Sequence, residues 1–397
     1  MDNLITGLRL VNFKAFKDQH ISFRPLTLLT GMNGMGKSSV LQALLLLRQQ
    51  NRAAITDAGG LFVLNGDLVQ LGTGQDVLFE GAENDVVEIE VHTTELNDAL
   101  HWVFHYEEDA NALKLSHFTR SGSKLPDISS IGGNLLLSSP SEWALNMFAP
   151  NFQYLQAERF GPRTLLPYAP QAVGVERQLG MHGEHVATYL YTYGAREVEL
   201  PSLYHPQWES AEGSSPQLRE LVELWMNEIS PGTRISLHTL AEVDAIRLSY
   251  SFQRTGFVTR DYRPTNVGFG ISYTLPILVA LLGSEPGALI LLENPEAHLH
   301  PRGQVRIGEL MARAAAAGIQ VVVETHSDHV LNGIRVAVRQ GIVTPDQVAL
   351  HFFQRPEEDD GTIGVEVVTP EIDEDGRIDY WPEGFFDEYG KSLRSLL

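Results

Sequence analysis

Cysteine is absent from all 397 residues, which excludes disulfides, thiolate metal sites and a cysteine nucleophile. Long apolar runs are also missing, and the opening MDNLITGLRL lacks the basic-then-apolar order of a signal peptide. Both absences predict a cytoplasmic protein with no membrane role. Basic residues are scarce: 29 Lys and Arg against 50 Asp and Glu leave a formal charge of −21, which opposes broad adhesion to nucleic acid or anionic lipid. No run of Lys and Arg marks a local basic groove, so direct DNA binding is not indicated. Between Ser38 and Gly268 there is no heptad pattern long enough for a coiled-coil arm, and no repeat of solenoid period.

What remains is ordinary globular composition, 43% hydrophobic and 20% charged, with ample material for a buried core. Within it, Gly31 to Ser38 reads GMNGMGKS. The apolar, β-prone Leu26 to Thr30 precedes it, and the Leu-, Ala- and Gln-rich Ser39 to Gln50 follows. Strand, glycine loop and helix in that order are the context that the P-loop pattern GxxxxGK[ST] requires. Backbone N–H groups of Asn33, Gly34, Met35, Gly36 and Lys37, extended by Ser38 and Ser39 at the helix start, would converge on phosphate oxygens. Lys37 would reach the β- and γ-phosphates, and the Ser38 hydroxyl would ligate Mg²⁺.

Ahead of that loop, Ile5 to Phe16 and Ile21 to Phe23 suggest a hairpin turned at Lys17-Asp18-Gln19. Val86 to His92, His101 to Tyr106 and Leu113 to Phe118 are strands in series, the mark of an antiparallel sheet. Ser121 to Ser141, rich in Ser, Gly and Pro, reads as a surface loop. Further on come a helix ending near Tyr193, an amphipathic helix over Leu218 to Glu228, and strands within Arg234 to Ser251.

Ala288 to Leu292 (ALILL) and Gln320 to Val323 (QVVV) are continuous apolar runs, as strands buried on both faces are. They end in Glu293-Asn294-Pro295-Glu296 and Glu324-Thr-His326-Ser-Asp328, with a helix, Arg302 to Ala317, between them. That arrangement sets two polar clusters at one edge of a parallel sheet, where open α/β folds bind ligands. If the P-loop strand joins this sheet, Glu293 and His326 face the phosphates held by Lys37. Upstream, Asn266 to Ser272 (NVGFGIS) is a glycine-bearing turn opening an apolar helix, Tyr273 to Leu282, and such a helix start can receive an anion.

Taken in order, GMNGMGKS, NVGFGIS, LILLENPEAHLHP and VVVETHSD resemble the ABC-type ATPase heads of the SMC, RecF and OLD-like superfamily. They also resemble a bacterial family within it whose small C-terminal domain of unknown function ends like Trp381 to Phe386 (WPEGFF). The resemblance implies an α/β P-loop NTPase of ABC-ATPase head type: a mixed sheet core, an antiparallel β subdomain, helical insertions and a C-terminal β-hairpin. It divides the head into an N-terminal lobe (1–80), an antiparallel sheet with insertions (81–265), a lobe with signature, Walker B and switch histidine (266–346) and an acidic extension (347–397). It implies ATP and Mg²⁺ as cofactors, and a homodimer or higher even oligomer in which Gly268, Gly270 and Ser272 of one subunit cap the γ-phosphate held by the other. Glu293 stands where the family carries the Walker B acid, His298 to Pro301 resemble the dimer-communicating D-loop, and His326 the switch histidine. A glutamine completes the Mg²⁺ site in such heads, and Gln75 or Gln70 is the candidate here.

Asn294 departs from that pattern, which has a water-orienting glutamate there. An amide cannot take a proton from water. Either Glu296 or Glu293 substitutes or hydrolysis is slow, since phosphoryl transfer depends chiefly on positioning and charge stabilisation. Competing readings of single residues are plainer. Glu293, Glu296, His298, His300 and His326 could form a metal-hydrolase cluster, but the D-loop reading explains the same spacing. His182 and His185 have near-ligand spacing but read better as structural. Arg159 and Arg163 could touch nucleotide or a partner but read better as ion-paired framework residues, and Lys14 reads as a phosphate contact or a strand-end charge. From His351 onward 13 acidic residues meet 4 basic ones, with PEEDDG at a hairpin tip between Gln347–Gln354 and Thr362–Thr369. This crowding into loops suits a solvated, protein-docking surface better than a nuclease metal site. The reading favoured is an ATP-controlled switch for a separate effector or regulatory protein, in bacterial anti-phage defence. Its rivals are a DNA-repair or chromosome-maintenance head and a non-hydrolysing ATP-dependent scaffold.

Overall fold

A computed structural model describes residues 4–53, 61–94, 99–106, 110–120, 123–124, 146–209, 214–355 and 364–396. The chain forms two compact units. The first takes Met1–Ala149, Ala349–Glu371 and Tyr380–Leu397, the second Pro150–Val348 and Ile372–Asp379.

The first unit opens with β1 (Ile5–Phe13) and β2 (Phe16–Ser22), then β3 (Leu26–Gly31) and the long α1 (Lys37–Ala53). There follow β4 (Leu61–Val63), the single turn α2 (Gly74–Val77), β5 (Val86–Thr93), β6 (Leu100–His105), β7 (Ala112–Arg120) and β8 (Ser123–Lys124). An antiparallel sheet in the order β2-β1-β5-β6-β7-β4 results. Alternation explains it: along β5 every second residue is buried, so one face is core and the other is wet.

The first hairpin turns earlier than its polar residues suggest. Lys17, Asp18 and Gln19 lie inside β2, and the reversal is made at Lys14-Ala15, with Lys14 left-handed (φ 52°) and Phe13 paired with Phe16. β2 is an edge strand, so its outward side chains are charged and imitate a turn. Asp18 instead grips Arg9 across the strands at 2.7 and 2.8 Å.

The second unit begins with β9 (Gln153–Leu155), β10 (Leu165–Pro167), α3 (Pro170–Gly174), α4 (Val186–Tyr193) and α5 (Leu218–Asn227). The hairpin β11 (Thr233–Leu240) and β12 (Ala245–Arg254), with β13 (Phe257–Val258), leads to α6 (Phe269–Gly283). Then β14 (Leu289–Glu293), α7 (Pro301–Ala316), β15 (Gln320–Glu324) and α8 (Asp328–Arg339) alternate. β14 pairs in parallel with both β15 and β9, and the two apolar runs are buried as expected of strands covered on both faces. α6 starts at Phe269, four residues before the sequence reading put it, because Gly268 already caps it in an extended conformation. Gly270 and Ser272 therefore lie in its first turn. A Cβ on Gly270 would stand 2.8 Å from the His298 carbonyl, so this glycine serves close packing.

The chain returns to the first unit as β16 (Val348–Gln354) and β17 (Glu366–Val368), the antiparallel hairpin expected there, with β16 also neighbouring β3. Helix α9 (Glu388–Ser395) follows. Phe385, fully buried, packs edge-on to Phe352 of β16 and beside Trp381, which seats the WPEGFF turn. The hairpin tip PEEDDG, the break at Asp57 to Gly60 and the Ser121 to Ser141 loop, apart from β8, lie outside the described residues.

Candidate functional site

In the first unit β3 delivers the chain into a loop bent at Gly31 (φ 133°), Gly34 (φ 79°) and Gly36 (φ 83°), and α1 starts at Lys37. These left-handed angles favour glycine. A Cβ at Gly36 would stand 2.8 Å from the Phe16 ring and 3.0 Å from Ala15, so the β1–β2 turn walls the loop. Asn33, Gly34 and Ser38 are exposed, Met35 half-buried, and Ser39 buried with its N–H on the Gly36 carbonyl. Lys37 is 3% exposed, and its ammonium donates to the carbonyls of Gly31 (3.0 Å) and Met32 (2.8 Å). No acidic residue stands in the first turn of α1, so nothing opposes an anion at its positive end. The loop thus suits a phosphate chain by its donors, its glycine angles and its lysine.

Two further residues of this unit belong to the loop's surroundings. Lys14 sits at the turn, its ammonium on Gln42 Oε1 (3.0 Å) and its N–H on the Val77 carbonyl (2.7 Å). Burial pushes its pKa down and Asp76 pushes it back up. Gln75 is exposed on α2, the turn that Thr73 and Asp76 cap reciprocally, whereas Gln70 lies apart in a bridge with Asn65. Through Val77 and Lys14, α2 joins the turn that walls the loop.

In the second unit the parallel register aligns Glu293 with Glu324, and the Asn294 N–H donates to the Glu324 carbonyl (2.8 Å). Asn294 is left-handed (φ 44°), a conformation that asparagine tolerates well. Glu293 accepts from the Tyr154 hydroxyl at Oε1 (2.8 Å) and from the Ala157 N–H at Oε2 (3.2 Å). Burial, with Glu293 alongside, raises the Tyr154 pKa, so Tyr154 is a firm proton donor. The carboxylate keeps lone pairs beyond these two bonds and is a hard oxygen ligand of the kind Mg²⁺ takes. Among the described residues no group of three His, Asp or Glu side chains could hold a metal ion by itself.

Arg159 is the residue whose weight the sequence did not convey. It is 2% exposed, and its guanidinium donates to the carbonyls of Gln156 (2.9 Å), Glu293 (2.7 Å) and Asn294 (2.7 Å). It also lies 5.5 Å from the centroid of Tyr273 on α6. Burial lowers its pKa to about 10, against Glu296, Tyr273 and Glu293 which raise it, so it stays charged at neutral pH. Arg163 rests over the Phe160 ring at 4.2 Å.

Around the same turn, Glu296 accepts from Thr325 and from the His326 N–H, while the His326 side chain is exposed. His298, left-handed (φ 63°), stacks edge-on against Tyr273 at 4.5 Å, and His300 caps α7. Gly268 and Gly270 bring backbone to the N-terminus of α6, which also has no acid in its first turn. The Ser272 hydroxyl is buried instead, beside Tyr250 and Arg163 in a cavity of about 20 Å³. His182 bonds Gln156 and the Glu158 carbonyl, whereas the His185 Nδ1 is buried away from any partner, so the two do not share a ligand geometry.

Three segments match family profiles. Residues 4–107 match an "AAA ATPase domain", residues 189–332 an "AAA domain, putative AbiEii toxin, Type IV TA system", and residues 343–396 a "Protein of unknown function (DUF3696)". No curated protein matches the chain. Among solved structures, an Smc head bound to the C-winged helix domain of ScpA is similar over 93% of this chain and 98% of that one, with TM-score 0.51 and 15% identity. The SMC head domain from Thermotoga maritima aligns over 93% and 99%, with TM-score 0.48 and 15% identity. An Smc head with an extended coiled coil, bound to the C-terminal domain of ScpA from Pyrococcus furiosus, aligns over 99% of both chains, with TM-score 0.49 and 12% identity. The two ATPase-domain matches take in the glycine loop, the start of α6 and both strand-end clusters, and the fold is the α/β P-loop fold of ABC-type ATPases, similar to that of the Smc head, with a DUF3696 match towards the C-terminal end.

Proposed function

We propose that the chain binds ATP as its Mg²⁺ complex on the Gly31–Ser38 loop, hydrolyses it slowly, and uses the bound nucleotide to hold two copies together. The observation that carries this reading is the loop itself: three left-handed glycines, a buried Lys37 tethered by loop carbonyls, and an acid-free helix start. Asn33 to Ser39 would hold the phosphates, with Ser38 and Glu293 as oxygen ligands of Mg²⁺, the latter directly or through water, and Gln75 completing the set. The metal would neutralise charge developing on the phosphoryl group. His326 would stand by the γ-phosphate. Slow turnover follows from Asn294, which cannot serve as a base.

The start of α6 would provide the cap on the partner's nucleotide. Its support is the acid-free first turn with Gly268 and Gly270. The Ser272 hydroxyl, buried beside Tyr250, would join after a rotation of that turn. A switch of this kind works through another protein, and the family description naming a putative AbiEii toxin supports placing it in bacterial anti-phage defence. The non-hydrolysing scaffold is the second reading, favoured by Asn294 alone. Turnover assays with the native chain and Lys37→Ala decide between them. Slow phosphate release that Lys37→Ala abolishes is expected; ATP binding with no release at any protein concentration would leave the scaffold. Absence of ATP binding would remove both.

A further inference from the structure

Glu296 is the carboxylate next in line for the work that Asn294 cannot do, yet each of its oxygens already accepts a hydrogen bond that fixes it to the chain. Oε2 accepts from the Thr325 hydroxyl (2.7 Å) and Oε1 from the His326 N–H (2.9 Å), with Asn294 Nδ2 at 3.5 Å from the same oxygen. Thr325 is fully buried, and its hydroxyl accepts in turn from the Ser327 N–H (3.1 Å). Ser327 caps α8 through Val330 N–H and bonds Gln304 of α7, whose amide donates to the Leu299 carbonyl (2.8 Å). The Leu299 N–H closes the circuit on the Glu296 carbonyl (3.0 Å). Among the described residues, the hydrogen-bond donors to the carboxylate come from the turn after β14 and the loop after β15, while Arg159 acts on it through charge alone. None of this needs a nucleotide or water to complete it.

We propose that Glu296 is a positioning residue, not the general base: it ties the turn after β14 to the loop after β15 and thereby sets the place of His326. For its effect on turnover this rests on the nucleotide reading above; the tie itself does not. A base acts through one lone pair offered to water, so its amide analogue and its deletion fail alike. A tie weakens in steps, because Gln at 296 still accepts from the His326 N–H while Ala accepts nothing.

The test uses the full chain with Glu296→Gln, Glu296→Ala, Thr325→Val and Thr325→Ser. Readouts are kcat, ATP affinity from a fluorescent ATP analogue, and hydrogen exchange of the His326 amide. Thr325→Val is expected to lower kcat roughly 10-fold with ATP affinity unchanged. Thr325→Ser should restore it. Glu296→Gln should lose less than Glu296→Ala, and adding Thr325→Val to Glu296→Ala should cost little more, since both break the same contact. The His326 amide should exchange faster in Glu296→Ala and Thr325→Val. The proposal is overturned if Glu296→Gln and Glu296→Ala both lose about 10²–10⁴-fold in kcat while Thr325→Val changes neither kcat nor exchange. Should the native chain not turn over ATP, the nucleotide reading fails separately, and unaltered His326 exchange in Glu296→Ala would still overturn the tie.

Discussion

Arg159 holds three part-buried main-chain carbonyls on one side chain, two of them more than 130 residues away in sequence. Replacing it with Met keeps most of the volume and leaves those acceptors without their donor, which costs about 1–3 kcal/mol. Arg159→Met is therefore expected to unfold at lower denaturant concentration than the native chain, as urea titration would record; an unchanged midpoint would mean that the carbonyls find other donors. No local pattern announces such a residue, because its partners come from a distant strand end. Tyr154 and Thr325 escaped notice for the same reason: each is ordinary in its own segment and gains its meaning only when β9, β14 and β15 lie side by side. The residues proposed to hold the nucleotide, Asn33 to Ser39, Glu293 and His326, sit in short motifs whose order along the chain is itself the signal.

At the scale of elements, the strand–loop–helix around Lys37 and the apolar runs of β14 and β15 could be read directly, since burial on both faces leaves a continuous apolar run. The first hairpin could not, since the exposed side of edge strand β2 has the composition of a turn, and neither could the start of α6, where glycine reads as a breaker although it is there for packing. Gly31 joins two elements more strictly than its motif role suggests. Its φ is 133°, and a Cβ there would run into the Phe353 carbonyl of β16. Gly31→Ala should destabilise the first unit by roughly 2 kcal/mol and broaden the unfolding transition; native-like stability would show that β3 and β16 separate at little cost. His351 of β16 makes a comparable join. Its Nε2 donates to the Ser22 carbonyl (2.7 Å), and in the neutral ring its Nδ1 accepts from the Thr369 hydroxyl (3.0 Å). Burial holds its pKa down to about 4, the Ser22 bond opposing this only in part. The unfolded chain takes up a proton here near pH 6.5 and the folded chain does not. Stability is thus fully present above that pH and declines as pH falls towards 4, by up to roughly 3 kcal/mol at this site. Urea unfolding at about pH 7 and about pH 5 should show a steeper loss in the native chain than in His351→Gln; equal losses would contradict the assignment.

For the whole molecule, a net charge of −21 sets two expectations. Copies repel one another unless something specific joins them, and plain duplex DNA is not an attractive surface. No affinity for duplex DNA is expected at moderate salt; binding that weakens steeply with salt would favour the chromosome-maintenance reading. The central claim is that ATP supplies the specific join. Light-scattering mass of the full chain, with and without saturating MgATP and beside Lys37→Ala, tests it most directly. The expected result is a mass that doubles with MgATP in the native chain and stays unchanged in Lys37→Ala. A native chain that binds MgATP and keeps the same mass across all concentrations would contradict it.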